Sequence, residues 1–517
     1  MAIKRKIFEY IVLSFILLFY AVLLARPVNL ATADLGRHIK TGEIFFKTLH
    51  IPSTNLFSYT YPDFPFVNHH WGSGVIFFIV HKFFGFVGLS WFFIIGSVIT
   101  LFLFFHLAWK YASFRLAALI SLLAIPVLVS RVEIRPEFLS NLFAGIFLWV
   151  LWNYQNGDIS RKWLYALPIA ELVWVNLHIY FFLGGAITLF FLIENLYGWL
   201  AKKNQEAPAK TKNLAIIMAL LGVAVLINPA GFKGAIHPLL IYSNYGYRIF
   251  EEQSVWFIER LFSYPPAFYF KILFAVLCAS WIFAFQKMLK RKVSFPLALF
   301  LLSVFFSYIA WTAIRNFSLF AYFALAISAI NFQNIREKPN RSKKHENIIT
   351  TFLIIIVLAV VLVVNKDFWA GESIGLGLAP GVEKSADFFK QQNLKGPIFN
   401  NYDIGSFLVY ELYPREKVFV ENRPEVYPAS FFNDTYIPIQ QDETKWKEGK
   451  NKYNFNVIYF WRNDLTPWGQ QFLTARVQDP EWVTVYLDDY AIIFIRKNDL
   501  NKAIIDYTGS EGEEKID

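Results

Sequence analysis

Long apolar segments recur along residues 1–365 and constrain the fold more than any other feature of the sequence. A helix that crosses a bilayer needs about 20 mostly apolar residues. Because backbone groups inside lipid must be hydrogen-bonded within the protein, apolar segments of this length favour helices. The pattern predicts eleven membrane-spanning helices, at residues 7–25, 86–108, 115–130, 137–153, 163–176, 179–199, 212–228, 266–287, 294–312, 316–333 and 348–365.

Charged residues divide the chain at the end of these segments. Residues 1–365 contain 32 basic residues (Lys or Arg) and 15 acidic residues (Asp or Glu). Residues 366–517 contain 17 basic and 24 acidic residues. The local net charges are therefore +17 and −7. Since the basic excess belongs to the apolar region, it indicates a lipid bilayer as partner and excludes a nucleic-acid footprint.

The basic residues also predict the orientation. Lys4, Arg5 and Lys6 precede the first span, and the densest basic clusters recur in every second loop. By the positive-inside rule, the N-terminus is cytoplasmic and the C-terminal region is extracytoplasmic. Residues 71–84 are apolar but too short to span, and residues 36–48 are amphipathic. The first outer loop, 26–85, is thus predicted to carry two interfacial helices.

The C-terminal region has the pattern of a small α/β domain. Short segments rich in Val, Ile, Phe and Tyr alternate with helical stretches, which predicts a partly parallel sheet. The predicted strands are residues 396–400, 417–421, 456–460, 482–487 and 490–496. The domain prediction is a transmembrane domain at 1–365, an α/β domain at 366–499 and a polar, disordered tail at 500–517.

Asp34 is the first candidate for chemistry, because it directly follows the first span on the outer face. On a helix, Asp34 and His38 share one face. The carboxylate can act as a general base, or the pair can hold a divalent cation such as Mg²⁺ or Mn²⁺. A structural role as a helix N-cap is the alternative, since Asp is favoured there. The sequence leaves both roles open.

Other polar residues of the outer loops are candidates for binding. His69 and His70 can bind phosphate or metal or transfer protons, or they can anchor the interface beside Trp71. Arg135 and Arg315 lie at junctions between spans and can clamp a phosphate, although ion pairing or snorkelling to headgroups would also explain them. The remaining candidates are Asp63, Glu137, Asn176 and His178.

A series of short motifs, taken in order, resembles the GT-C superfamily. These are polytopic glycosyltransferases that use polyprenyl-phosphate-linked sugars, and the similarity is to the bacterial Rgt-type and protein-mannosyltransferase-like members. The motifs are residues 34–42, 51–60, 66–71, 135–137, 174–178, 228–231, 399–406 and 418–423.

The resemblance implies a GT-C-like fold in a bacterial plasma membrane and sugar transfer on the outer face. The catalytic Asp of the superfamily's first loop corresponds to Asp34. Together with the residues of the outer face, this leads to the hypothesis that Asp34 is catalytic, that Arg135, Arg315 and His70 bind the donor phosphate, and that a glycan, lipid or protein is the acceptor. The chain lacks the Asp-X-Asp motif of the superfamily and has histidines where an acidic residue is expected before Trp71. A divalent cation is therefore left open.

Two other functions remain as alternatives. Glu171 and Glu194 fall inside predicted spans, where carboxylates are costly and often functional. They motivate a transporter or flippase for a lipid-linked or small solute, although the inverted repeats typical of transporters are not visible. The missing acidic motif motivates a non-catalytic envelope assembly protein. The sequence shows no nucleotide-binding glycine loop, HExxH or GxSxG motif.

Overall fold

A computed structural model describes residues 2–202, 205–241, 245–291, 295–333 and 374–506. The predicted span at 348–365, the predicted domain boundary at 365 and most of the predicted tail lie outside the described residues. Two compact units are formed. The helical unit draws on Met1–Arg26, Ser90–Gly231 and Ile249–Leu376, and the mixed unit on Pro27–Leu89, Phe232–Arg248 and Gly377–Asp517.

Helices dominate the first two thirds of the chain. They are α1 (Ala2–Leu24), α2 (Leu35–Thr48), α3 (Trp71–Tyr111), α4 (Phe114–Leu128), α5 (Glu137–Gln155), α6 (Ala166–Trp174), α7 (Phe182–Leu200), α8 (Ala207–Ala224), α9 (Gly231–Leu240), α10 (Val255–Leu261), α11 (Pro265–Arg291), α12 (Leu297–Thr312) and α13 (Phe317–Phe332). Each predicted span before residue 333 coincides with a helix.

Five helical segments among the described residues are long and apolar enough to cross a membrane. They are Lys6–Leu24, Trp71–Tyr111, Ile179–Leu200, Pro265–Lys290 and Ile314–Phe332. The last segment contains α13, which is buried along nearly its whole length. It packs against α4, α11 and α12, so that an apolar helix forms the core of the helical unit.

Helix α3 is broken at Gly85. Its backbone there has φ 62° and ψ −163°, a conformation that is essentially restricted to glycine. The helix before the break matches the predicted short helix at 71–84, and the helix after it matches the predicted span at 86–108. The glycine thus separates the two helices at the boundary that the sequence predicts.

The C-terminal part of the mixed unit contains a four-stranded sheet. Strands β1 (Ile398–Asn400), β2 (Val457–Trp461), β3 (Trp482–Leu487) and β4 (Ala491–Arg496) have the order β1-β2-β4-β3. β1 and β2 are parallel, and the other pairs are antiparallel. The accompanying helices are α14 (Lys384–Gln391), α15 (Gly405–Leu412), α16 (Ile437–Gln441), α17 (Glu443–Tyr453) and α18 (Gly469–Gln478). The predicted α/β domain with a partly parallel sheet is confirmed.

The predicted strand at 417–421 is wrong. Val418 pairs with the first outer loop instead of the sheet, through backbone hydrogen bonds from Tyr59 N–H to its carbonyl and from its own N–H to Phe57. The resulting single bridge joins Ser58 to Val418. The segment 417–421 thus has the composition of a strand, but its backbone hydrogen bonds hold the first loop in place.

Helix α2 of the first loop packs directly on α15. A Cβ atom at Gly36 would lie 2.7 Å from the Ser406 carbonyl oxygen and 2.9 Å from Cβ of Tyr410. The side of α2 that contacts α15 is buried, including Leu35 and Ile39. This contact places the start of α2, and with it Asp34, against the C-terminal residues of the same unit.

Candidate active site

Asp34 occupies the position before the first residue of α2. It is therefore the N-cap residue of the helix, as the structural alternative predicts, but its side chain makes no capping hydrogen bond. The carboxylate instead faces Arg37, whose Nη2 atom lies 3.5 Å from Oδ2. The Asp34 side chain keeps 18% of its surface exposed, whereas that of Arg37 keeps 9%. A carboxylate with this exposure is accessible to a substrate hydroxyl.

From Asp34 toward the interior of the unit, acidic and basic side chains follow one another in turn. The Nε atom of Arg37 lies 3.9 Å from Oε2 of Glu421, which is completely buried. Arg423 donates from Nε to Oε1 of Glu421 over 2.6 Å. The Arg423 guanidinium also lies over the Phe66 ring, 4.5 Å from its centroid. The residues 34, 37, 421 and 423 form what we call the buried charge chain.

Histidine side chains form a second group in the mixed unit. The rings of His38 and His70 have centroids 5.3 Å apart, those of His69 and His70 4.0 Å, and those of His69 and His237 5.1 Å. Burial lowers the pKa of His69 well below its ordinary range, and the nearby His237 adds to this effect. Burial also lowers the pKa of His237. His69 is therefore held neutral, as a proton acceptor or hydrogen-bonding group.

The residues do not fit a resident divalent cation. Across the described ranges, no group of three or more His, Cys, Asp or Glu side chains is arranged to hold a metal ion. Asp34 pairs with Arg37, and His38 contacts the rings of His70 and Phe77. Mg²⁺ and Mn²⁺ prefer several oxygen ligands, which this arrangement does not offer.

Asp63 does not join these groups. It lies in an exposed turn of the first loop. Within the part of the chain that the structure describes, no hydrogen bond or ion pair links it to Asp34 or to the histidines. The sequence therefore grouped Asp63 with the site only because both belong to the same loop.

In the helical unit, the arginines at the junctions between helices are paired with glutamates. Arg131 donates from Nε to Oε1 of Glu137 over 2.9 Å and also bonds Glu251. Arg135 donates to Oε1 of Glu251 over 2.5 Å and to Oε2 of Glu133 over 2.7 Å. Burial alone would raise the pKa of Glu251, but the surrounding arginines hold it well below its ordinary value. Glu251 is thus an ionised carboxylate shared by two guanidinium groups.

Arg315 belongs to the same network but is held less closely. Its Nη1 atom donates to Oε1 of Glu252 over 2.9 Å, and its Nη2 atom lies 3.7 Å from Oε2 of Glu137. The guanidinium is 5.6 Å from the centroid of the Tyr180 ring. Beside it is a cavity of about 20 Å³, which is enough for a water molecule. A phosphate group would require neighbouring side chains to move. Polar residues that line the cavity include Tyr20, Arg131, Glu133, Glu137, Asn141, Tyr180, Arg315 and Tyr322.

Asn176 and His178 have structural partners. The Asn176 amide donates to the carbonyl oxygens of Leu172 and Ile227. The ring of His178 hydrogen-bonds Oγ of Ser140 and accepts from the N–H of Tyr180. These bonds hold the short connection between α6 and α7, as expected for a turn between spans.

The carboxylates inside the spans also differ from one another. Glu194 accepts a hydrogen bond from the N–H of Ala298, at the start of α12, over 2.7 Å and a second from Gln155 over 3.1 Å. This structural role explains Glu194, which is one of the two glutamates inside predicted spans that motivated the transporter alternative. Glu171 is buried against Gly184 and Phe147.

Four charged residues of these clusters were missed in the sequence. Glu251 and Glu252 are adjacent acids in a loop between predicted spans, which was the available signal, and their pairing with the candidate arginines appears only in the fold. Glu421 and Arg423 lie within a stretch that resembles the GT-C group, but nothing in their spacing connects them with Asp34. Only the fold brings them together.

Comparison with known proteins identifies the fold. No protein-family model matches the chain, and no curated protein matches it. Among solved structures, the Archaeoglobus fulgidus oligosaccharyltransferase AglB, in complex with an inhibitory peptide and a dolichol-phosphate, is 15% identical with a TM-score of 0.59. That match covers 88% of this chain and 69% of AglB. The same enzyme in complex with Zn and sulfate matches at 15% identity and a TM-score of 0.54, over 87% of this chain and 67% of that one.

A further similar structure is ArnT from Cupriavidus metallidurans bound to undecaprenyl phosphate, at 13% identity and a TM-score of 0.49, over 97% and 99% of the two chains. The AglB matches show that the two proteins share a fold, which in this chain consists of a helical part followed by a C-terminal α/β region. The chain is therefore a multi-pass membrane protein.

Proposed function

We propose that this chain, which has the fold of the archaeal oligosaccharyltransferase, is a membrane glycosyltransferase acting on the extracytoplasmic face. It transfers a sugar from a polyprenyl-phosphate-linked donor to an acceptor hydroxyl of a glycan, lipid or protein. The observation that carries the proposal is Asp34, the exposed end of an otherwise buried charge chain. The dolichol-phosphate in the AglB complex supports a polyprenyl donor.

The proposed location follows from the charge distribution. Basic loops on one side place the N-terminus in the cytoplasm of a bacterial-type plasma membrane. Residues 1–365 form the membrane domain and residues 366–499 the extracytoplasmic domain in this proposal. Asp34 then faces the compartment in which lipid-linked sugars are used.

Asp34 acts as the general base. The acceptor oxygen forms a bond to the anomeric carbon of the sugar while the bond from that carbon to the phosphate oxygen breaks. The acceptor proton goes to the Asp34 carboxylate, and the bonding electron pair leaves with the polyprenyl phosphate. Positive charge develops on the sugar, as in other glycosyl transfers, and negative charge develops on the phosphate.

Arg315 and Arg135 are proposed to bind the donor phosphate, and His70 to assist. Guanidinium groups match phosphate oxygens in charge and geometry. Arg315 is the favoured contact because its ion pairs are the longer ones, at 2.9 and 3.7 Å. Arg135 is paired with Glu133, whose side chain is 46% exposed and free to swing away. When the donor binds, its phosphate takes the place of the Glu133 carboxylate, which neutralises Arg135 before binding.

Binding of undecaprenyl phosphate tests this assignment. We expect Arg315→Gln to weaken binding to the purified protein in nanodiscs by about tenfold, as for loss of one charge-assisted contact. The matched control is Arg260→Gln, because Arg260 is an exposed arginine of α10. Equal binding by both variants and the wild-type protein would refute the phosphate role of Arg315.

A transfer assay tests the function itself. The purified protein, in nanodiscs with a membrane extract as acceptor, is given undecaprenyl-phosphate-linked hexoses and pentoses. We expect release of undecaprenyl phosphate together with a new glycosylated product. Movement of the lipid-linked sugar across proteoliposome membranes without release would instead indicate a flippase, and neither activity would indicate an assembly protein.

A further inference from the structure

The buried charge chain joins Asp34 to residues almost four hundred positions away. Arg37 lies between two carboxylates, 3.5 Å from Asp34 and 3.9 Å from Glu421. Glu421 in turn shares Oε1 with two nitrogen atoms of Arg423, at 2.6 and 2.5 Å. Only the Asp34 end keeps appreciable exposure, since the side chains of Glu421 and Arg423 keep 0% and 6%.

The ion pair between Glu421 and Arg423 is short, whereas the contacts of Arg37 with its two carboxylates are long. Both distances from Arg37 to its carboxylates exceed normal hydrogen-bond lengths. Among the described residues, Nε of Arg37 and Oε2 of Glu421 have no hydrogen-bond partner, although both atoms are buried. Arg37 is thus locked neither to Asp34 nor to Glu421, and Glu425 also interacts electrostatically with Arg37 and Arg423.

This arrangement is poorly explained by stability alone. Burying charges costs more than a typical ion pair returns, and apolar replacements of such pairs are often neutral or stabilising. The backbone is already fixed by other contacts, including the bond from Arg37 N–H to Ser406 Oγ. The buried charge chain therefore orients the Asp34 carboxylate more than it stabilises the fold.

We propose that Glu421 and Arg423 are positioning residues for Asp34, so that the C-terminal domain completes the catalytic centre. This inference rests on the proposed function. Arg423 fixes Glu421, and Glu421 attracts Arg37 through Nε, whereas Asp34 attracts it through Nη2. Without the Glu421 charge, Arg37 turns fully to Asp34 and ties up the carboxylate oxygens that must accept the acceptor proton.

Glu421→Gln tests the inference, because it keeps the side-chain shape and removes the charge. We expect kcat for sugar transfer to fall about tenfold or more, less than the roughly 10²- to 10⁴-fold contributed by a general base. The KM for the undecaprenyl-phosphate-linked donor stays unchanged, because the donor does not contact Glu421. The matched control is Glu448→Gln, since Glu448 is an exposed, ion-paired glutamate of α17, and it keeps wild-type kcat.

A double-mutant cycle separates positioning from a structural role. If Glu421 acts through Asp34, adding Glu421→Gln to Asp34→Asn causes no further loss of residual transfer. A multiplicative loss in the double variant would overturn the inference while leaving Asp34 as the base. Wild-type transfer by Asp34→Asn alone would instead refute the proposed function, so the two failures are distinguishable.

Arg423→Lys provides the test if Glu421→Gln does not fold. Lysine keeps the positive charge but cannot make the forked contact to Oε1 of Glu421. We expect a thermal unfolding temperature close to that of the wild-type protein and a reduced kcat with unchanged donor KM. Wild-type kcat in a folded Arg423→Lys variant would overturn the inference.

Discussion

The backbone N–H of Arg37 donates a 2.9 Å hydrogen bond to Oγ of Ser406, a residue 369 positions further along the chain. The first loop and the C-terminal residues are joined here within one unit. Asp34, three residues before Arg37, owes its setting to this contact. The loop that carries the proposed base therefore depends on the C-terminal sequence for its position.

The packing of α2 on α15 leaves no room for a side chain at Gly36. A methyl group there would lie 2.7 Å from the Ser406 carbonyl oxygen. We expect Gly36→Ala to destabilise the mixed unit by about 1–3 kcal/mol, as overpacking does. Thermal unfolding measures the change, and Gly185→Ala is the control, because a Cβ atom at Gly185 meets nothing within 4 Å. Equal unfolding temperatures for both variants would contradict the close packing.

Glu251 neutralises two half-buried arginines of the helical unit, Arg131 and Arg135. Glu251→Gln leaves Arg131 and Arg135 with less negative charge than their burial requires. We expect a loss of about 3–5 kcal/mol, the cost of breaking a buried ion pair from one side. Thermal unfolding in detergent tests this against Glu206→Gln, whose ion pair with Lys210 is 72% exposed on the glutamate side and contributes little. A Glu251→Gln variant as stable as the wild-type protein would show that Glu137 and Glu133 suffice to neutralise the two arginines.

The buried, neutral His69 makes stability depend on pH. Its pKa is lowered in the folded protein from an ordinary value of 6.5, so the unfolded chain binds a proton first as the pH falls. The contribution of the neutral imidazole to the free energy of unfolding is then fully present above pH 6.5. Below pH 6.5 the free energy of unfolding decreases, by about 1.4 kcal/mol per pH unit for one proton.

Replacing His69 removes this contribution. We expect His69→Gln to unfold with a shallower dependence on pH below 6.5 than the wild-type protein. His50→Gln, at an exposed position of the first loop, serves as the control and keeps the wild-type slope. Identical slopes for His69→Gln and the wild-type protein would show that the imidazole is not the titrating group.

Much of the fold could be predicted because the bilayer imposes length and hydropathy on each span. The helices before residue 333 follow the apolar runs, and the break at Gly85 follows from a segment too short to cross. The sheet follows from alternating β-branched and aromatic runs. The segment 417–421 has the same composition, yet its partner is the loop at 57–59, and local composition does not specify a distant partner.

The candidate site was predictable only in part. Asp34 could be found because a carboxylate directly after a span is unusual, and the resemblance placed it first. Glu421 and Arg423 could not be found, because their relation to Asp34 exists only after α2 and α15 pack. The arginines were correctly located at junctions between helices, but Glu251 and Glu252, which pair with Arg135 and Arg315, come from a different loop.

Sugar transfer by Asp34→Asn is the most direct test of the account. The measurement is release of undecaprenyl phosphate from an undecaprenyl-phosphate-linked sugar by purified protein in nanodiscs, with a membrane extract as acceptor. We predict a loss of about 10²- to 10⁴-fold, as for removal of a general base, with wild-type binding of undecaprenyl phosphate. Release at the wild-type rate by a folded Asp34→Asn variant would contradict the assignment of Asp34 as the base.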